Sequence, residues 1–140
     1  VTKRINWRNE LSRWTNAKED RFYVYAFTHL RCVYGPPLGE GRSRIVFKGR
    51  DGTNVIKLPK NLYGESANAR ELEPDNWLGA KERYAKTWKD LHLSRQTELL
   101  IIRMEIVREA HGRLPAWTGA VDCAQVGYNR AGKLVAYDWG

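Results

Sequence analysis

A chain of 140 residues, 42% of them hydrophobic and 29% charged, has the composition of one globular domain that can bury a core without disulfides, which excludes a disordered tail. Its 24 basic against 16 acidic residues leave a net charge of +8, which favours an acidic partner: a nucleotide, a nucleic acid or an acidic protein face. No apolar run approaches the ~18 residues of a membrane span. The opening Val1-Thr2-Lys3-Arg4-Ile5-Asn6-Trp7 lacks the apolar centre of a signal peptide, so a cytoplasmic protein is expected.

In chain order, Trp7, Leu11 and Trp14 share one helical face and predict an amphipathic helix between Trp7 and Lys18. Phe22-Tyr23-Val24-Tyr25-Ala26-Phe27 is continuously apolar and aromatic, which fits either a helix or a strand. Gly35-Pro36-Pro37 breaks the chain and closes an N-terminal extension over 1–37. The cysteines, Cys32 and Cys123, have no CxxC partner, so reduced, buried or half-buried thiols are expected. His29, His92 and His111 lack the spacing of a zinc ligand set.

Beyond the break, Arg44-Ile45-Val46-Phe47-Lys48 and Asn54-Val55-Ile56-Lys57-Leu58 flank Asp51-Gly52 and predict a β-hairpin. Ser66 to Glu73 predicts a helix, Pro74-Asp75 a break, and Trp77 to Leu91 a second helix. The apolar run Leu99 to Val107 has the length of a buried strand, although its leucines and methionine also suit a helix. Ala124 to Tyr128 and Lys133 to Tyr137, joined through Asn129-Arg130-Ala131-Gly132, predict a final hairpin. The fold class expected is α+β: an antiparallel sheet with a packed helix, an N-terminal helical extension and a C-terminal hairpin. All belong to a single domain, with a core over 38–107 and a linker and hairpin over 108–140.

Chemistry concentrates first in Leu38-Gly39-Glu40-Gly41-Arg42-Ser43-Arg44-Ile45-Val46, since glycines let a backbone approach phosphates closely. Val46 follows where GxGxxGxV expects a valine, and Lys57 closes Val55-Ile56-Lys57 on the next strand. A helix carrying Glu71 comes next, then the strand ending Met104-Glu105-Ile106-Val107, then a glycine-turn hairpin leading into Tyr137-Asp138-Trp139-Gly140.

In that order these elements resemble the nucleotide-binding part of the protein-kinase-like family, over roughly 38–140. The resemblance implies an N-lobe-like sheet with Gly39, Gly41, Arg44 and Val46 around the phosphates of ATP, and Lys57 on those phosphates and paired with a helix glutamate. Glu71 takes that role ahead of Glu65 and Glu73. The segment of Glu105 and Val107 would meet an adenine with its backbone. Asp138, as the DFG aspartate, and Gln125, at the position of the metal-binding asparagine, would hold Mg²⁺, with Asp122 as the nearest candidate for the catalytic base.

Several departures bear on activity. Arg44 replaces the third glycine, no His-Arg-Asp motif occurs, and the family's base position falls on Ala120 and not on Asp122. The stretch Arg108 to Gly119 is too short for the usual second-lobe helices, and the sequence as given stops at Gly140. The pattern is similar to that of small kinase-like accessory proteins of tailed bacteriophages. It implies a reduced, pseudokinase-like protein that binds an acidic or host protein in the host cytoplasm, with a retained nucleotide pocket. The alternatives are an active minimal phosphotransferase and a basic module that binds nucleic acid without sequence preference.

Overall fold

Alternation along two adjacent strands sets the architecture. Ile45, Phe47, Ile56 and Leu58 are fully buried on one side, while Arg44, Val46 and Lys57 alternate to the other. The computed structural model describes residues 21–74, 78–121 and 125–138. The expected helix at Trp7 to Lys18, and Asp122, Cys123, Trp139 and Gly140, lie outside the described residues.

The fold is α+β. Helix α1 (Arg21–Tyr34) leads into β1 (Gly39–Glu40), β2 (Arg44–Lys48) and β3 (Asn54–Pro59), followed by α2 (Leu62–Leu72), β4 (Thr87–Lys89), α3 (Leu91–Thr97) and β5 (Ile102–Glu105). These strands form one antiparallel sheet in the order β1-β2-β3-β5-β4. Strands β6 (Arg108–Glu109), β7 (Val126–Tyr128) and β8 (Leu134–Ala136) form a second antiparallel sheet in chain order. Tyr84 bridges Ala136 in parallel, and the Ala85 N–H donates to the Ala136 carbonyl at 2.8 Å, which ties the small sheet to the chain ahead of β4.

The ambiguous aromatic run is helical: Tyr23, Ala26 and Leu30, spaced by three and four, are buried against Ile45, Phe47, Ile56, Leu58 and α3 residue Leu93. Cys32 corrects an expectation, since it is exposed on the side of α1 away from that stripe. The helix expected from Trp77 to Leu91 is also absent among the described residues. Gly79, with φ of 91°, breaks the chain; Lys81–Arg83 is a single 3-10 turn, and Thr87–Lys89 pairs with β5 instead. Asp90 starts α3 by accepting the Leu93 N–H at 2.9 Å.

The sheet side opposite α1 is covered by α2 and the β7–β8 hairpin. Val135 packs with Met104 and Ala85, and Val55, Val107 and Tyr137 lie against them. Helix α2 approaches unusually closely because Gly64 has no side chain: a Cβ there would sit 2.1 Å from the Ser43 carbonyl. This approach brings the last turn of α2 over Lys57.

Candidate functional site

Four charged side chains meet on that covered side. Lys57, midway along β3, donates through Nζ to Glu71 Oε1 at 2.7 Å and to the Tyr137 carbonyl at 2.8 Å. Arg44, at the start of β2, places Nη1 2.7 Å from Glu71 Oε2 and donates through Nη2 to Asp138 Oδ1 at 2.5 Å. Glu71 is wholly buried, so its two oxygens are divided between a lysine and an arginine. Two cations and two carboxylates leave the cluster with no net charge, the condition under which ions are tolerated in a poorly solvated interior.

Hydrogen bonds fix the cluster from beneath. Asn68, one turn before Glu71 on α2, accepts from Arg44 Nη1 at 3.2 Å and donates to the carbonyls of Lys57 and Leu100 at 3.1 and 2.8 Å. Burial pulls the Lys57 pKa down, the Glu71 carboxylate opposes that, and the Arg44 charge adds to the depression. Asp138 is the open end of the chain of contacts, with 38% of its side chain exposed. The Gln125 side-chain amide lies against it, and with the amide assigned so that nitrogen and not oxygen faces these acceptors, the nitrogen is 3.2 Å from Oδ2 and 3.3 Å from the main-chain oxygen.

This donor set does not fit Mg²⁺. A magnesium ion needs carboxylate oxygens free to face it. One Asp138 oxygen instead carries the Arg44 guanidinium and the other the Gln125 N–H. Arg44 occupies the electrostatic role of a cation between Glu71 and Asp138.

The loop of the glycine-rich segment ahead of Arg44 is tied down by its own carbonyls. The Gly41 N–H donates to the Arg44 carbonyl at 2.8 Å, and the loop carbonyls face the β3–α2 corner. Lys60 Nζ donates to Gly41 O at 3.0 Å, Asn61 Nδ2 to Arg42 O at 3.2 Å and the Lys60 N–H to Ser43 O at 2.7 Å. Lys60 also pairs with Glu40. Asn61 is in addition the N-cap of α2, accepting from the Gly64 N–H at 2.9 Å. One corner thus starts a helix and anchors the loop.

Of the residues singled out in the sequence, the fold brings together Arg44, Lys57, Glu71, Gln125 and Asp138. Val46 lies directly across from Lys57 on β2. Gly39 and Gly41 are exposed at the sheet edge. Glu105 accepts from the Lys86 N–H at 2.7 Å, and Val107 packs beside Val135; both lie beyond the cluster, at the end of β5.

Of the less favoured glutamates, Glu73 is exposed after α2. Glu65 accepts from the Leu100 N–H through both oxygens, at 3.1 and 3.2 Å. Burial raises its pKa to about 7, against the lowering effects of that bond and of Lys89. Asn68 escaped sequence reasoning, although its place three residues before Glu71 puts both on one helical face. The chain matches no protein-family model and no curated protein sequence.

Proposed function

We propose that this protein is a reduced, kinase-like binding protein that does not transfer phosphate. The observation that carries this reading is the position of Arg44, whose guanidinium spans Glu71 and Asp138. A kinase-like site needs that aspartate for Mg²⁺ and a mobile glycine loop over the phosphates. Here the aspartate is committed to an arginine and an amide, and the loop carbonyls are committed to Lys60 and Asn61. The Lys57–Glu71 pair, the helix that carries it and the hairpin leading to Asp138 support a kinase-like ancestry in which the pairing is kept as structure.

Binding to a protein is favoured as the remaining role. The chain carries a net charge of +8, and Tyr63 and Leu91 are largely exposed; both suit recognition of an acidic protein surface, a host protein if the gene is of phage origin. No helix among the described residues is long and apolar enough to cross a membrane.

The test is phosphotransfer from radiolabelled ATP with Mg²⁺, to the protein itself and to a lysate. No transfer is expected from the wild type. Robust transfer abolished by Asp138→Ala would replace this reading with a minimal phosphotransferase.

A further inference from the structure

A cleft away from the charged cluster lies where β5 hands over to β6 and meets the β7–β8 turn. It encloses about 630 Å³, with Ile106, Val107 and Tyr128 as its apolar and aromatic lining and Arg108 and Arg130 as its cations. Arg108 and Tyr128 are register partners across β6 and β7 and so share one face. Both arginines are exposed, and among the described residues neither side chain has an ion-pair or hydrogen-bond partner. Glu109, the nearest acid in sequence, alternates to the opposite face, where it adds to the effect of burial in raising the Tyr137 pKa. The cleft therefore carries two uncompensated positive charges over an apolar floor.

The adjoining backbone is open as well. Strand β6 is the outer strand of its sheet. The Ala110 N–H donates to the Val126 carbonyl at 3.1 Å, so by antiparallel alternation Arg108 faces β7 and Glu109 turns its N–H and C=O outward. An outward-facing donor and acceptor beside a lined cleft suit the addition of one extended peptide strand. A nucleic acid strand has no backbone N–H to pair with the Glu109 carbonyl, and among the described residues Tyr128 is the single aromatic lining the cleft.

We propose that this cleft is the docking site for an extended acidic segment of a partner protein. The segment lies along the open edge of β6, with carboxylates on Arg108 and Arg130 and an apolar side chain against Ile106, Val107 and Tyr128. This rests on the protein-binding reading above and names the chemistry of the partner.

The probe is a fluorescein-labelled eight-residue peptide, Glu-Thr-Leu-Thr-Glu-Thr-Leu-Thr, which in an extended strand carries its glutamates and leucines on one face, followed by anisotropy. Saturable binding is expected, weakened about tenfold or more in the exposed double variant Arg108→Glu/Arg130→Glu and by less than about twofold in Arg50→Glu, a charge reversal on the β2–β3 turn. Thermal melts establish that the variants remain folded. Amide resonances of Arg108, Glu109 and Ala110 should shift on binding. Absence of saturation, equal weakening in Arg50→Glu, or equal binding of the same peptide with lysine for glutamate would overturn the proposal. Displacement by an oligothymidylate as effective as by unlabelled peptide would overturn it in favour of nucleic acid. Phosphotransfer by the same preparation judges the non-catalytic reading separately, so the two ideas fail independently.

Discussion

Strands β2 and β3 present two contrasting faces. On one, Ile45, Phe47, Ile56 and Leu58 pack under α1 and α3 in a cluster of apolar and aromatic side chains that carries no charge, and stabilisation is spread over many contacts. On the other, Arg44 and Lys57 are buried beside Glu71, and each charge depends on its neighbours. The apolar face could be repacked with other side chains of similar volume. On the charged face Glu71 is the shared partner, and removing it alone leaves Lys57 without a carboxylate in the interior.

The largest expected effect breaks that unit. Glu71→Leu leaves Lys57 and Arg44 facing each other and should reduce stability by about 3–5 kcal/mol, measured by urea unfolding. Adding Lys57→Met to it should recover most of that loss, because the lysine charge that lost its partner is removed as well. If the double variant is no more stable than Glu71→Leu, the cluster is not electrostatically self-contained. On the apolar face, Phe47→Ala should lose about 3–5 kcal/mol, with no single second substitution elsewhere expected to restore it.

Between these extremes stands Glu65, whose half-buried carboxyl at the start of α2 lies against the Leu100 N–H. Its folded pKa, raised from 4.5 to about 7 by burial, means that the protonated form is favoured by folding. Its contribution is therefore fully present below about pH 4.5 and is lost as pH rises through about 7. Wild type should lose up to about 3 kcal/mol relative to Glu65→Gln across this window, read from chemical melts at successive pH values. A wild-type profile parallel to the variant's would contradict the assignment. The smallest effect belongs to Asp138→Asn, at the exposed end of the cluster, where solvent screens the pair with Arg44 and a loss below about 1 kcal/mol is expected.

Much of the fold was legible where local chemistry and tertiary packing agree. The Asp51-Gly52 turn between β-branched runs, with Gly52 at φ of 72°, gave the β2–β3 hairpin, and Lys57 and Glu71 followed from their positions in the motif order. The segment between Gly79 and Asp90 was not legible. Its helical spacing competes with pairing of Thr87–Lys89 to β5, and the long-range ladder prevails over local periodicity. The run Leu99 to Val107 suits either a strand or a helix by its residues, and only Ile102–Glu105 of it is a strand of the sheet, because Glu98 turns the chain in the left-handed conformation and Leu99 is drawn into the core.

At the site, the sequence pointed to Arg44 as an intruder among glycines but not to its destination. A guanidinium that reaches both a helix glutamate and a hairpin aspartate depends on distances across three elements, which no spacing along the chain encodes. Asn68 was missed for the same reason: its three hydrogen bonds join residues from β2, β3 and the chain before β5.

The central claim is that Arg44 takes the place of the metal cation at Asp138, and titration calorimetry with ATP in the presence and absence of Mg²⁺ tests it most directly. For the wild type, Mg²⁺ should change the apparent ATP affinity by less than about twofold, and Arg44→Gln, which frees Asp138 Oδ1 of the guanidinium, should restore a dependence on Mg²⁺. Wild-type binding tightened about tenfold or more by Mg²⁺ would contradict the account.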